Sequence, residues 1–559
     1  MVNTLVRSDQ NIGADVADLS PRARYWLLAV AGFNVVLVIA SMVALNTALP
    51  DIAVATGATQ GQLTWIVDGY TLVLACLLLP AGALGDRYGR RGALLVGLAI
   101  FGAASLAPVL FDSPVQIIIA RGMAGVGAAL IMPATLSLLT AAFPADERNK
   151  AVGIWAGAAS SSAVIGFLCS GVLLRYFSWE SIFYGFTAAA VVLFVMTCTT
   201  GTSRDDTGTP IDWVGAVLIG AAVAVFVFGL LEAPQRDWSH PLVWGCMAGG
   251  VALAAVFTVV ELRRRHPLLD VRLFGRPDFA TGAVGITVLF FANFGFFFVV
   301  MQYLQLVRGY SPLGTAFALA PIAAPIMILG ATLHLYLPKV GLRFAVAAGL
   351  FFIGAGLFIL RFLSVESPYF DFAWPTLIVA TGIGLCVAPT TSAIMNAVPE
   401  EKHGVASAVN DTTREVGAAL GIAVAGSVVA AEYSDALAPR LENFPEQLRA
   451  PALDSLAQAL EVAERAGAHG AQLAVRAQEA FMESMDLSVV ALSAVALVAA
   501  AFVAVWAPGR DGRQLRVVRR LTGSDGSAEE LGGAVTDHGD GGVRPPRRKG
   551  GKHRAVKHR

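Results

Sequence analysis

The sequence predicts an all-α membrane protein with 14 transmembrane helices, and two properties of its composition lead to this prediction. Hydrophobic residues make up 56% of the 559-residue chain and charged residues only 14%, against about 25% charged residues in an ordinary soluble domain. The apolar residues also occur in long runs without charges, each near the ~20 residues that a helix needs to cross a bilayer. This composition excludes a soluble enzyme, a disordered protein and a secreted disulfide scaffold.

The apolar runs follow one another along the chain without the ten-residue alternation that is typical of membrane β-barrels. We expect them to be helices, because lipid offers the backbone groups no hydrogen-bonding partner. In chain order, the predicted spans are residues 26–49, 62–84, 93–111, 115–141, 151–174, 181–200, 211–231, 242–262, 278–304, 312–337, 342–362, 373–398, 404–431 and 487–507.

The basic residues of the short loops predict the orientation, because Lys and Arg are enriched in cytoplasmic loops. The loops of one side hold 14 Lys and Arg residues and those of the other side hold four. An even number of spans then places both termini in the cytoplasm. The predicted location is the cytoplasmic membrane.

Three segments are predicted to lie outside the membrane. Residues 1–25 form a cytoplasmic N-terminal segment, and residues 432–485 form an extracytoplasmic loop whose leucine spacing predicts short amphipathic helices. Residues 508–559 carry 13 basic and six acidic residues and are rich in Gly, which predicts a disordered cytoplasmic tail able to contact anionic lipid. A basic tail on an acidic body indicates two compartments and not a nucleic-acid-binding protein.

The sequence contains no phosphate-binding loop, no metal-ligand spacing and no arrangement of a nucleophile with a base. Its five cysteines lie in or beside apolar spans and form no C-x-x-C pair. We therefore expect no cofactor, no metal and no enzymatic activity, and we expect any energy to come from an ion gradient.

Charged side chains within spans indicate functional sites, because they are costly in lipid. Asp68 lies in the second span and Arg121 in the fourth, both near the predicted outer ends. At ~1.5 Å per residue, Asp68 is about 9 Å below the surface and Arg121 is at a similar depth. We expect the two to lie close together, either as a proton-coupling pair, which we favour, or as a static ion pair.

A second charged cluster lies in the thirteenth span. Asp411 and Glu415 are four residues apart and share one helix face, and Arg414 is close enough to neutralise Asp411. Two carboxylates in a low dielectric resist joint ionisation, which suits proton coupling. The alternative interpretation is a helix end that remains hydrated.

Residues 82–91 resemble the loop signature of the major facilitator superfamily. The resemblance implies a cytoplasmic gate in which the Asp caps and pairs across a helix end while the arginines hold the gate. The residues concerned are Gly82, Gly85, Asp86, Arg87, Gly89, Arg90 and Arg91. Arg121 and the glycines that follow it resemble the fourth-helix motif of the superfamily, which is associated with proton transfer.

Further motifs resemble the fourteen-helix drug:proton antiporter family, which includes the quaternary-ammonium multidrug exporters. They are residues 46–50, 65–68, 270–274, 309–312, 409–415 and 417–427. The resemblance extends from about Trp26 to Pro508. It implies two pseudo-symmetric six-helix bundles, residues 26–200 and 263–507, with two additional helices in residues 201–262, and alternating access by rocking of the bundles.

By this resemblance, Asp68, Asp411 and Glu415 align with acidic positions used for proton coupling or cation recognition. The sequence departs from the family at Ser41, where many relatives have an Asp, and in residues 166–171, where a proline of the fifth helix is absent. Fewer carboxylates argue against dicationic substrates.

The predicted function is proton-driven antiport of amphipathic drugs or antibiotics, mostly monocationic or neutral, by a monomer whose partners are substrate, protons and membrane lipids. Amides and aromatic side chains near the spans are the predicted lining of the substrate cavity: Asn46, Trp65, Tyr70, Asn293, Gln302 and Gln305. Two alternatives remain open. One is an exporter of an endogenous lipid or metabolite with weak or no proton coupling, and the other is a membrane sensor or scaffold that does not transport.

Overall fold

The computed structural model describes residues 16, 19–111, 113–203, 211–236, 238–441, 444, 446–465, 470–510 and 514. The predicted N-terminal segment 1–25 and the predicted disordered tail 508–559 lie mostly outside the described residues. Their assignment, like the boundaries of the predicted domains, stays a prediction.

In the described part, 14 helices are long and apolar enough to cross a membrane, which confirms the predicted number. We number the membrane-spanning helices in chain order as follows: α1 (Pro21–Val43), α2 (Gln60–Tyr88), α3 (Arg90–Leu110), α4 (Pro114–Ala142), α5 (Ala145–Tyr176), α6 (Glu180–Cys198), α7 (Trp213–Arg236), α8 (Pro241–Arg263), α9 (Pro277–Gln302), α10 (Pro312–Ala331), α11 (Leu333–Leu360), α12 (Tyr369–Asn396), α13 (His403–Leu437) and α14 (Gly470–Trp506).

Local chemistry sets several of the helix starts. Helices α4, α8, α9 and α10 begin with proline, whose fixed φ suits the first helical turn and whose missing N–H is not needed there. Helix α2 begins with a capping box, in which the side chains of Thr59 and Gln62 satisfy each other's backbone amides. These signals place the first residues of these helices within a few residues of the predicted boundaries.

The structure differs from the prediction between the tenth and eleventh spans. Helix α10 consists of two short helices joined by a 3-10 turn and ends at Ala331, six residues before the predicted end. Helix α11 begins at Leu333 and is interrupted at Gly341, where φ is 81°. Glycine adopts this left-handed conformation without steric cost, so the predicted boundary at 342 coincides with a break inside α11.

The predicted outer loop 432–485 is shorter than expected, because α13 continues to Leu437 and α14 already begins at Gly470. Hydropathy detects where lipid contact ends and not where a helix ends. The short helices expected in this segment are present, at Glu446–Asp454 and Leu456–Arg465.

Helices α1–α6 and α9–α14 form the two six-helix halves, and close glycine contacts hold helices together within each half. A Cβ atom on Gly125 of α4 would lie 2.6 Å from the Tyr70 carbonyl oxygen of α2. One on Gly421 of α13 would lie 2.0 Å from the Phe291 carbonyl oxygen of α9. Both distances are too short for any side chain, so these glycines allow the backbones to meet.

The two halves meet along two seams, one between α2 and α13 and one between α5 and α10. The additional helix α7 packs against both α2 and α13 and pairs with α8. The Trp238 indole donates a hydrogen bond to the Ser427 hydroxyl of α13, and the Trp65 ring of α2 lies 5.9 Å from the Phe228 ring of α7. Helix α7 therefore bridges the two halves at the α2–α13 seam.

The α5–α10 seam depends on two glycines that face each other. A Cβ atom on Gly153 would lie 2.1 Å from the Gly330 carbonyl oxygen, which is a backbone atom that cannot turn away. We expect Gly153→Ala to destabilise the purified protein by roughly 1–3 kcal/mol through overpacking, measured as a lower Tm in detergent.

Gly157, one turn further along α5, is the matched control. A Cβ atom there would make ordinary contacts of 3.5 Å with Ile326 and Met327. Gly157→Ala should leave the Tm close to that of the parent, and equal Tm values for the two variants would contradict this account of the seam.

Candidate functional site

The Asp86 carboxylate, at the end of α2, joins the two halves. Its Oδ1 accepts a hydrogen bond from the Gly404 amide at 2.9 Å, and its Oδ2 accepts one from the Val405 amide at 3.1 Å. These two amides lie in the first turn of α13, where backbone donors have no partner within the helix. Arg90 forms an ion pair with Asp86 at 2.8 Å, and both residues are buried.

Arg90 extends this connection to the segment that precedes α13. Its guanidinium donates to the Glu400 carbonyl oxygen at 2.7 Å and to the Ser203 hydroxyl at 3.0 Å. Arg148, in the first half, forms an ion pair with the Glu400 side chain. The structure therefore joins the two halves at this end of the molecule, as the predicted gate requires.

Two glycines of the predicted gate are required by the geometry. A Cβ atom on Gly82 would lie 2.5 Å from the Gly404 carbonyl oxygen, so the approach of α2 to α13 depends on its absence. Gly89 has a φ of 109° in the tight turn between α2 and α3. A Cβ atom on Gly85 would make only an ordinary contact, at 3.6 Å from Ala93.

The other two arginines of the predicted gate do not connect the halves. Arg91 donates to the Cys198 carbonyl oxygen at 2.5 Å and so links α3 to α6 within one half. Arg87 is partly exposed and lines a cavity of about 150 Å³ beside Asp86. Among the charged residues of the predicted gate, Asp86 and Arg90 thus make the contacts between the two halves.

The expected approach of Asp68 to Arg121 is not observed. Arg121 donates to the carbonyl oxygens of Ile66 and Ser41, each at 3.1 Å, and its guanidinium lies 4.2 Å from the centre of the Tyr70 ring. Ile66 and Tyr70 are four residues apart and face α4 together. Asp68, two residues from each, projects from the opposite side of α2.

Asp68 instead shares a face of α2 with Trp65 and Leu72, which pack against the additional helix α7. Asp68 is partly exposed and has neither an ion pair nor a hydrogen bond within the described residues. It is therefore a carboxyl group inside a membrane span whose charge no neighbouring side chain neutralises.

The charged cluster of α13 is buried, which contradicts the alternative of a hydrated helix end. Asp411, Arg414 and Glu415 are 1%, 2% and 7% exposed. The expected pair forms, with Arg414 Nη1 3.4 Å from Asp411 Oδ1, and Asn410 donates to the same oxygen at 3.1 Å. The second oxygen of Asp411, the Oε2 of Glu415 and the Nη2 of Arg414 have no hydrogen-bond partner in the described part.

Two aromatic rings complete this cluster, and the sequence analysis did not identify either as a site residue. The Arg414 guanidinium lies 4.5 Å from the centre of the Phe290 ring and 5.5 Å from that of Trp155. Trp155 belongs to α5 in the first half and donates to the Thr135 hydroxyl at 3.2 Å. Trp155 lies between Gly153 and Gly157 in a span with no other aromatic residue nearby, and this pattern would have indicated it as a site residue.

The six residues predicted to line a substrate cavity do not converge on one site. Asn46 is exposed and donates to the Val43 carbonyl of its own helix end, and Gln302 likewise donates to a carbonyl of its own helix. Trp65 packs against α7, and Tyr70 lies under Arg121. Asn293 is 7% exposed, and its Oδ1 has no hydrogen-bond partner among the described residues. Gln305 is partly exposed in a π-helical turn.

We expect Asp86→Asn to open the gate. Loss of the carboxylate leaves the buried Arg90 without its counter-charge, a change that typically costs roughly 3–5 kcal/mol. Hydrogen exchange at the Gly404 and Val405 amides, measured by mass spectrometry on the purified protein, should accelerate at least about a hundredfold. The reason is that each 1.4 kcal/mol of lost free energy raises the opening equilibrium constant tenfold.

Asp146→Asn is the control, because Asp146 is an exposed carboxylate in the first turn of α5. It should leave the exchange of these two amides unchanged. Parental exchange rates at Gly404 and Val405 in Asp86→Asn would show that Asp86 does not hold the gate.

Comparison with known proteins agrees with this architecture. The Multidrug resistance protein Stp of Mycobacterium tuberculosis is 33% identical over 428 residues, which are 76% of this chain and 79% of that protein. The Multidrug efflux pump LfrA of Mycolicibacterium smegmatis is 33% identical over 469 residues, 82% of this chain and 91% of that protein. Among solved structures, the proton:xylose symporter XylE superposes with a TM-score of 0.56 at 13% identity, over 90% of this chain and 100% of that chain.

The likeness to XylE confirms the predicted fold, and the model of the Major Facilitator Superfamily matches residues 31–422. The protein is thus a multi-pass membrane protein, and its chain belongs to the major facilitator superfamily.

Proposed function

We propose that the protein exports amphipathic drugs or antibiotics, mostly monocationic or neutral, across the cytoplasmic membrane in exchange for protons. The names of the relatives Stp and LfrA, a multidrug resistance protein and a multidrug efflux pump, support drug export. Both termini are proposed to be cytoplasmic, because the basic loops then lie on the inner side.

The environment of the Glu415 carboxyl group is the observation that supports proton coupling. It is 7% exposed, its Oε2 has no partner among the described residues, and it lies within Coulombic range of Tyr70 in the other half. A buried carboxyl group with an oxygen that accepts no hydrogen bond is less costly in its neutral form than as an anion, and Arg414 beside it is shared with Asp411. Binding of a cation nearby removes that preference, so substrate and proton would exclude each other.

Asp68 supplies a second carboxyl group, in the first half and nearer the proposed outer surface. It lies on the face of α2 that packs towards α7. Arg121 donates to the Ile66 and Ser41 carbonyl oxygens instead and does not neutralise it. Arg121 is proposed to act indirectly, by holding Tyr70 and the Ser41 backbone between α1, α2 and α4.

The gate described above provides the conformational part of the cycle. Asp86 and Arg90 hold the proposed cytoplasmic ends of the two halves together. Breaking these contacts would allow the halves to rock about the membrane midplane and admit substrate from the cytoplasm.

We expect Asp68→Asn to remain folded and to lose uphill efflux, because the neutral amide cannot exchange a proton. The measurement is substrate accumulation, with a pH-sensitive dye, in proteoliposomes under an imposed proton gradient. Asp51→Asn, which alters an exposed carboxylate next to the first span, should behave as the parent. Parental uphill transport by Asp68→Asn would remove Asp68 from the mechanism.

We expect Glu415→Gln to bind substrate but to release fewer protons than the parent when substrate is added, because one titratable group is lost. Proton release is measured with a pH indicator on the purified protein in weak buffer. Asp435→Asn is the control, since Asp435 is an exposed carboxylate near the far end of the same helix. Unchanged proton release from Glu415→Gln would contradict the proposed coupling site.

The same vesicles distinguish the alternatives. Substrate movement without proton movement in the parent would indicate an exporter of a lipid or metabolite on the same scaffold. Binding without any vectorial movement would indicate a sensor or scaffold.

A further inference from the structure

We propose that Arg414 occupies, in this state of the protein, the place that a planar monocationic substrate takes during transport. Substrate cation and guanidinium would compete for the same two aromatic faces and for the Asp411 carboxylate. This inference rests on the proposed export function and adds to it a site and the residue that controls its occupancy.

The surroundings of Arg414 are those of a bound cation. Its guanidinium is within ~6 Å of two ring centres, the range in which cation–π attraction is significant: 4.5 Å for Phe290 and 5.5 Å for Trp155. Asp411 supplies the opposite charge at 3.4 Å. Two aromatic faces and one carboxylate form a receptor for an organic cation, and here an internal side chain fills it.

Arg414 is held weakly for a buried arginine. Its contact with Asp411 is longer than the roughly 2.7–2.9 Å of a strong charged hydrogen bond, and its Nη2 has no partner in the described part. By contrast, Arg90 makes an ion pair and two further hydrogen bonds below 3.1 Å. A rival cation therefore displaces Arg414 at a lower cost than it would displace Arg90.

The charges of the cluster also permit the exchange. Asp411 and Glu415 are two acidic groups beside one basic group, and each retains an oxygen without a hydrogen-bond partner among the described residues. When a substrate cation takes Asp411, the released guanidinium still has Glu415 within Coulombic range. The cluster thus accommodates one additional positive charge, which agrees with a monocation and not a dication.

The shape of the site indicates which cations it favours. A guanidinium is planar with a delocalised charge, and the two rings contact it as flat faces. Trp155 belongs to the first half and Phe290 to the second, so a ligand between them lies at the interface that opens when the halves rock. Flat aromatic monocations fit this arrangement better than compact ammonium ions.

The test is equilibrium binding to the purified protein in detergent, with proflavine as a planar fluorescent monocation and phenazine as a neutral tricyclic analogue. Arg414→Gln removes the internal competitor and should increase the affinity for proflavine about tenfold, with little change for phenazine. Adding Asp411→Asn to this variant should abolish the gain. Proflavine affinity equal to or below that of the parent would overturn the proposal.

A second pair of variants tests the site without removing a charge. Phe290→Leu deletes a ring that faces Arg414, whereas Phe294→Leu deletes the ring stacked on Phe290, 5.9 Å between centres. We expect Phe290→Leu to weaken proflavine binding more than Phe294→Leu, and equal effects would contradict the site.

The proflavine-binding test can fail independently of the proposed export function, because equilibrium binding requires no proton gradient. Proton-coupled efflux by the parent, together with unaltered proflavine binding by Arg414→Gln, would reject this inference alone. A gain in binding by Arg414→Gln in a protein without proton coupling would retain the cation site and reject the antiport.

Discussion

One buried carboxylate joins the two halves of this transporter where α2 meets the start of α13. Asp86 accepts two amide hydrogen bonds from the first turn of α13, where the helix dipole presents partial positive charge, and it pairs with Arg90. The side chain therefore acts as a tertiary N-cap, since Lys402 at the cap position provides no side-chain bond to α13.

Three buried arginines illustrate how differently this protein compensates a charge in its interior. Arg90 is bonded to a carboxylate and backbone carbonyls across the gate, and Arg121 is bonded to two carbonyls and a tyrosine ring. Arg414 has one long ion pair and two aromatic faces. The first two arrangements stabilise fixed helix contacts. The third leaves polar atoms without a partner, within the part of the chain that the structure describes, where substrate and proton are proposed to meet.

The expected approach of Asp68 to Arg121 failed for a geometric reason. Asp68 and Arg121 were expected to meet because their depths are equal, yet depth says nothing about direction around a helix. Ile66 and Tyr70 occupy the side of α2 that faces Arg121, and Asp68 occupies the opposite side. Similarly, residue type did not indicate that Trp65 packs against α7 or that Gln302 donates to a carbonyl of its own helix.

The sequence by itself determined the number of spans and the presence of charged residues within them. These properties depend on local hydrophobicity and spacing, which a single chain segment contains. Only the tertiary structure decided which groups meet. Trp155 contacts Arg414 and Gly82 contacts Gly404, although the members of each pair lie far apart along the chain. The reason is that helix rotation and crossing are set by packing between helices, where a difference of one residue turns a side chain by about 100°.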